Sequence, residues 1–367
     1  MKSRYLILAV VLVVAAALAL GGCGGDKKPA APAAPEKMKV AFVYVGPVGD
    51  AGWTYARAQG RKYLMEKMPD VQTTIIESVP EGADSERVIT QLAEQGHKVI
   101  FTTSFGYMDP TINVSKKYPK VVFMHCSGFK TAENVGTYFG RIEQARYLTG
   151  IAAGKTTKSN VIGYVAAFPI PEVVRGINGF TLGVRSVNPN AKVKVVWTNT
   201  WYDPAKEKQA AISLLDAGAD VIAQHQDTPG PMQAAEERGK FGVGYNTDMS
   251  KMAPKAVLTS AVWNWGPYYV KVIEAVKKNT WKSDQYWGAM SDGIVDIAPF
   301  GPMVQEDTKK LITDAKAKII KGELNIFAGP LKDQSGAVRV PAGQTLSDKD
   351  QLSWNWFVEG VDGTIPK

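Results

Sequence analysis

From residue 38 onward, short apolar runs alternate with longer stretches whose apolar residues recur at helical spacing. Residues 38–45 (MKVAFVYV), bounded by Gly46 and Pro47, are expected as a buried strand. Residues 53–68 carry helical spacing and stop at Pro69. A second strand is expected over 71–77. A helix over 84–95 follows, with Asp84 or Ser85 as cap and Gly96 as stop. A strand over 98–103, a partial helix over 108–118 closed by Pro119, and a strand over 121–125 complete the first series. The rhythm then restarts: strands over 160–165, 192–198, 220–225 and 241–245, with helices over 171–187, 204–217 and 230–239 between them. Gly176, Gly179 and Gly183 suggest that the helix at 171–187 packs closely on a neighbour.

Such regular alternation implies parallel sheets with right-handed crossovers. Two runs of four strands predict two similar lobes, joined near 138–146 and again near 257–265. Ligands of open parallel sheets sit beyond the C-terminal strand ends. The loops at 46–53, 103–109, 125–129, 166–171, 199–203, 226–230 and 246–250 are therefore expected to line a cleft between the lobes. They and the second connection hold Trp53, Phe105, Tyr107, Phe129, Phe168, Trp201, Tyr202, Trp263 and Trp265, interleaved with Asp50, Asp109, Asp203, Asp227, Asn246 and Asp248. Aromatic faces paired with carboxylates suit a planar heterocycle with ring N–H and amine groups. A sugar pocket uses similar parts.

From this set we take Asp50, Trp53, Phe105, Asp109, Phe168, Trp201, Asp227, Asn246, Asp248 and Trp265 as candidate ligand contacts. Each has a structural rival. Trp53, Phe105 and Phe168 could pack beneath their own loops. Asp109 precedes Pro110 and could cap a helix. Asp203 precedes Pro204 and reads better as a cap than as a contact. Asn246 and Asp248 could serve a turn. Trp265, with Trp263, could pack a hinge.

Charge and composition narrow the function classes. The chain is 45% hydrophobic and 21% charged, a globular profile. Its net charge of +8 is scattered, without a basic run or a nucleic-acid motif, so no nucleic-acid partner is expected. Two cysteines, Cys23 and Cys126, make no disulfide framework, and Cys126 is expected as a small buried apolar residue. His97, His125 and His225 show no metal-site spacing, and neither metal nor cofactor is expected. No nucleophile elbow or phosphate-binding Gly-Lys loop appears, so no catalytic residue is assigned. His125 and His225, at strand ends, would be the acid–base candidates of an enzyme.

The N-terminus reads as an address. Lys2 and Arg4 precede an apolar run over residues 5–20, shorter than the ~20 residues of a membrane-spanning helix. Leu20-Gly21-Gly22-Cys23 resembles a bacterial lipobox. The resemblance implies cleavage before Cys23, lipidation of its sulfur and anchoring to the cell envelope. Several acyl chains are needed for stable anchoring. Residues 24–37 (GGDKKPAAPAAPEK) form a Pro/Ala-rich tether. Gly24 leaves no retention signal after the Cys, so either the inner or an outer membrane fits.

Several segments in order resemble the basic membrane lipoprotein family, the substrate-binding lipoproteins of ABC importers that bind purine nucleosides or bases. They are GPVGDAGWTYARAQGR (46–61), ESVPEGADSERVI (77–89), FTTSFGYMDP (101–110), GYVAAFPIPEVVRGINGFTLG (163–183), NTWYDPAKE (199–207), GADVIAQHQD (218–227), GPLKDQSG (329–336) and FVEGVDGTIP (357–366). The resemblance implies an α/β type I periplasmic-binding-protein fold, two Rossmann-like parallel-sheet lobes joined by a multi-strand hinge. Residues 1–22 would be the signal peptide and 23–37 the lipidated tether. Residues 38–138 with about 264–290 would form one lobe, and 139–263 with about 291–367 the other.

The implied partners are a small purine ligand, an ABC permease and its ATPase, and the membrane through the lipid anchor; a monomer is expected. In this family Trp53 matches the stacking aromatic and Asp109 an acid at the purine edge. Tyr245-Asn246-Thr247-Asp248-Met249 departs from the usual ribose-binding segment, which favours a free, adenine-like base over a nucleoside. The alternatives are a ligand sensor serving a receptor, a binder of a flavin or a sugar, and a nucleoside-processing enzyme.

Overall fold

The computed structural model describes residues 37–366. The first strand, β1 (Met38–Val43), is buried on both faces: Val40 and Phe42 join one core, Ala41 and Val43 the other. A strand covered on both sides needs apolar residues at every position, which is why the run does not alternate. α1 (Trp53–Lys67), β2 (Val71–Ile76), α2 (Ala83–Glu94), β3 (Val99–Thr102), α3 (Met108–Ser115), β4 (Val122–Cys126) and β5 (Val135–Gly140) follow.

The chain then leaves through Arg141 into α4 (Ile142–Thr156) and a second sheet. That sheet alternates as β6 (Val161–Ala166), α5 (Pro171–Val187), β7 (Lys192–Trp197), α6 (Pro204–Asp216), β8 (Val221–His225), α7 (Gly230–Glu237), β9 (Phe241–Asn246) and β10 (Val257–Trp263). The chain returns to the first sheet with α8 (Gly266–Lys277), packed on α1, and β11 (Gln285–Gly288). It crosses again to β12 (Val295–Ile297). α9 (Glu306–Ile320), a hairpin of β13 (Leu331–Lys332) and β14 (Val338–Val340), α10 (Asp348–Leu352) and β15 (Val361–Asp362) close the chain.

The two sheets run in the orders β2-β1-β3-β4-β5-β11 and β15-β7-β6-β8-β9-β10-β12. Every pair in them is parallel except β10 with β12. The strand alternation thus sets the fold class as expected. Three crossings, at Arg141, Asn264 and between Gly288 and Val295, connect the sheets.

Some local expectations need correction. Gly82, not Asp84 or Ser85, holds the N-cap of α2; the Ser85 hydroxyl instead donates to the Gly82 carbonyl at 2.7 Å. α3 stops at Ser115, with Lys116 as its C-cap, three residues short of Tyr118. The crossings at Arg141 and Asn264 fall within the connections expected near 138–146 and 257–265, whose leading residues belong to the buried strands β5 and β10.

The close packing around α5 is real: a β-carbon on Gly183 would overlap the Tyr147 carbonyl, and one on Gly150 of α4 would overlap that of Phe180.

Candidate functional site

The segment after β1 builds one wall. Asp50 lies just before α1, and its carboxylate accepts the backbone N–H groups of Gly52 (2.8 Å), Thr54 (2.8 Å) and Tyr55 (2.9 Å). It therefore answers the unpaired amides of the helix start. Burial raises its pKa, and those hydrogen bonds work against the rise.

With the helix start fixed, Trp53 turns inward. Its indole N–H donates to the Thr103 carbonyl at 2.7 Å. The Arg57 guanidinium, one turn on, lies 3.2 Å from the Trp53 ring centroid, and its Nη2 reaches the Cys126 sulfur at 3.3 Å. A buried cation stacked on an indole holds that ring in place. Cys126 is buried, as its residue type suggested, and burial pushes its thiol up to about 11.

Four of the sequence candidates converge. Trp53 and Phe105, at the ends of strands of the first sheet, and Trp201 and Asp227, at the ends of strands of the second, line one narrow slot. Val45, Ser104, Ser127, Glu172 and His225 complete its lining. Phe168 backs Trp201, with ring centroids 5.0 Å apart. Asn246, held at φ 69°, stands behind Asp227: its amide nitrogen is 3.3 Å from the Asp227 carboxylate, and its oxygen accepts the Trp263 indole N–H at 2.9 Å.

The remaining candidates lie elsewhere. Asp109 sits on the exposed start of α3, paired with Lys130 at 2.6 Å; Tyr107 occupies the cap position there, so Asp109 is not a cap. Asp248 is exposed and accepts the Ser250 N–H at 2.9 Å, as turn chemistry predicts. Trp265 is buried behind Trp263, stacked at 4.8 Å. Asp203 caps α6 by accepting the Lys206 N–H at 3.0 Å.

Glu172 went unnoticed in the sequence. An acid in the first turn of a helix has a sufficient reason in the helix dipole, and that hid it. In the fold it joins the lobes: its Oε2 accepts the Ser127 hydroxyl, and its Oε1 lies 3.4 Å from His225 Nε2. Burial works to raise Glu172, but the hydrogen bonds from His225 and Ser127 and the Arg175 charge outweigh it and hold the carboxyl below its ordinary value. Burial and the Arg146 charge push His225 down to about 4, so it is neutral at pH 7. Burial, with the charges of Asp50 and Glu207, drives Asp227 well above the carboxylate range. The slot thus sets a carboxyl held below its ordinary value, Glu172, beside one raised above its own, Asp227.

Comparison with known proteins places this geometry in context. Residues 37–327 match the family described as Bmp, ABC transporter substrate-binding protein PnrA-like. A purine-binding protein of Brucella abortus (strain 2308) is 47% identical over 98% of this chain and 100% of its own length. A putative ABC transporter glucose-binding protein of Haloferax volcanii is 41% identical over 91% of this chain and 83% of its own. Among solved structures, an ABC transporter solute-binding protein from Aeropyrum pernix K1 superposes with a TM-score of 0.70 at 20% identity, covering 78% of this chain and 92% of that one.

Proposed function

The chain belongs to the Bmp family of PnrA-like ABC-transporter substrate-binding proteins, and from that premise we propose that it captures a free, adenine-like purine base between its lobes. Members of this family bind solutes outside the cytoplasm and hand them to a permease and its ATPase. The observation that carries the base reading is the slot itself, lined by Trp53, Phe105, Trp201 and Asp227. Aromatic side chains stack on any base, each worth about 1–3 kcal/mol. A protonated carboxyl pairs with an amine beside a ring nitrogen as an amide does when it reads adenine.

The relative with a glucose-binding name makes a sugar the rival ligand. A sugar needs free polar groups around several hydroxyls. Here Asp50 is spent on the start of α1 and Glu172 on Ser127 and His225.

The same reading gives the remaining parts their roles. Trp53, Phe105, Trp201 and Asp227 contact the base, with Phe168, Asn246 and Asp50 supporting them. The two sheets act as lobes that swing on the three crossings. Cys23, outside the described residues, carries the lipid that holds the protein to the envelope.

The test is a thermal-shift panel on full-length protein, unfolded and refolded to strip carried-over ligand. A ligand at 100 times its Kd adds about 2.7 kcal/mol of stability. A shift with adenine and none with adenosine or glucose supports the proposal. A shift with glucose alone overturns it.

A further inference from the structure

The base slot does not end at Glu172. Phe105, Ser127 and Glu172 also line a second, larger space that continues along the cleft. We propose that the ligand is a purine bearing an apolar or aromatic substituent, and that this second chamber receives the substituent. The proposal rests on the base reading of the slot.

The chamber's chemistry chooses the substituent. Its charged side chains are already engaged. Arg175 pairs with the buried Glu143 at 3.4 Å and donates to the Gln351 carbonyl at 3.1 Å. Asp348 receives both arms of Arg141, at 3.0 and 2.6 Å. Glu172 is held by Ser127 and His225. A ribose would find no free carboxylate among these for its hydroxyls.

What the chamber offers is ring and hydrocarbon surface: Phe129, Tyr138, Phe139, Tyr286 and Trp287, with Leu352 from α10. Trp287 is held by two guanidinium groups, Arg141 at 4.3 Å and Arg175 at 4.6 Å from its ring centroid. The same two arginines tie down α10 through Asp348 and Gln351. A preformed, fixed aromatic wall rewards a flat or apolar group without a cost of ordering it.

The experiment measures Kd on stripped full-length protein for adenine, N6-benzyladenine, 9-benzyladenine and adenosine. One of the two benzyl compounds should bind at least about tenfold more tightly than adenine, since burying a ring removes substantial apolar area from water. The better position shows which edge of the base faces the chamber. Leu352→Trp, a filling change on a short surface helix, should abolish that gain. Trp287→Ala, checked for folding by its melting curve, should reduce it.

If adenine binds but neither benzyl compound exceeds it, the chamber assignment is wrong and the base reading stands. A gain with adenosine equal to that of the benzyl compounds overturns the apolar assignment. If adenine and all its derivatives fail to bind, both readings fall together.

Discussion

Gly52 and Asp227 touch across the cleft. A β-carbon on Gly52 would overlap the Asp227 carbonyl oxygen and lie 2.7 Å from its carbon. Gly52 follows the first strand of one sheet and Asp227 the β8 strand of the other, so the contact bridges the two sheets. Gly52 also sits at φ −126°, ψ −118°. Closure of such proteins is a shift between populations driven by contacts unique to the closed state.

Gly52→Ala should therefore act on closure. The expected outcome is a tenfold or greater rise in Kd for the ligand that wins the thermal-shift panel, with small-angle scattering showing no ligand-induced compaction. Unchanged affinity would mean that the lobes accommodate a methyl group at their closest approach.

Thr247 makes a second contact of this kind, its hydroxyl donating to the Ala51 carbonyl at 2.5 Å. Hydrogen bonds contribute about 0.5–1.5 kcal/mol net. Thr247→Val should weaken ligand binding by about that amount while leaving the melting temperature of the stripped protein within a degree or two. Isothermal calorimetry and a melting curve check the two halves.

Trp201 is only partly buried, whereas Trp53 is part of the core. Trp201→Ala is thus the cleaner probe of stacking. Binding should weaken by about 1–3 kcal/mol, with little loss of stability. Trp53→Ala should weaken binding and also destabilise, since it empties the space against Phe139, Trp263 and Arg57.

Two buried groups should give pH dependences of opposite sign. Burial raises Glu207 to about 7, against the hydrogen bonds it accepts from Thr228 and Asp203. A raised carboxyl lends stability that is full below its ordinary value of 4.5 and is lost as pH rises through about 7. His225 is depressed to about 4, so its contribution is full above its ordinary 6.5 and is lost as pH falls from there towards 4. Melting temperatures between pH 5 and 8 check both: relative to wild type, Glu207→Gln should gain as pH rises, and His225→Asn should gain as pH falls. Differences that do not change with pH would show that neither group titrates in the fold as described.

The order of strands and helices along the chain, and so the fold class, was legible from residues 38 to 246. Strands covered on both faces must be apolar throughout, and the helices between them carry their own period and stops. Position at strand ends was enough to bring forward Trp53, Phe105, Trp201 and Asp227, because a parallel sheet gathers those ends at one edge.

Three-dimensional contact decided the rest. Nothing local separates Asp50, answering the amides at the start of α1, from Asp227, whose pKa burial and neighbouring acids raise. Asp109 and Asp248 have the right residue type and the right loop, yet their exposed surroundings give them Lys130 and a turn amide. Glu172 joined the site only because Ser127 and His225 arrive from distant strand ends in two different sheets. Charge and hydrogen bonding are set by what surrounds a side chain, and for these residues the surroundings come from segments far away in the sequence.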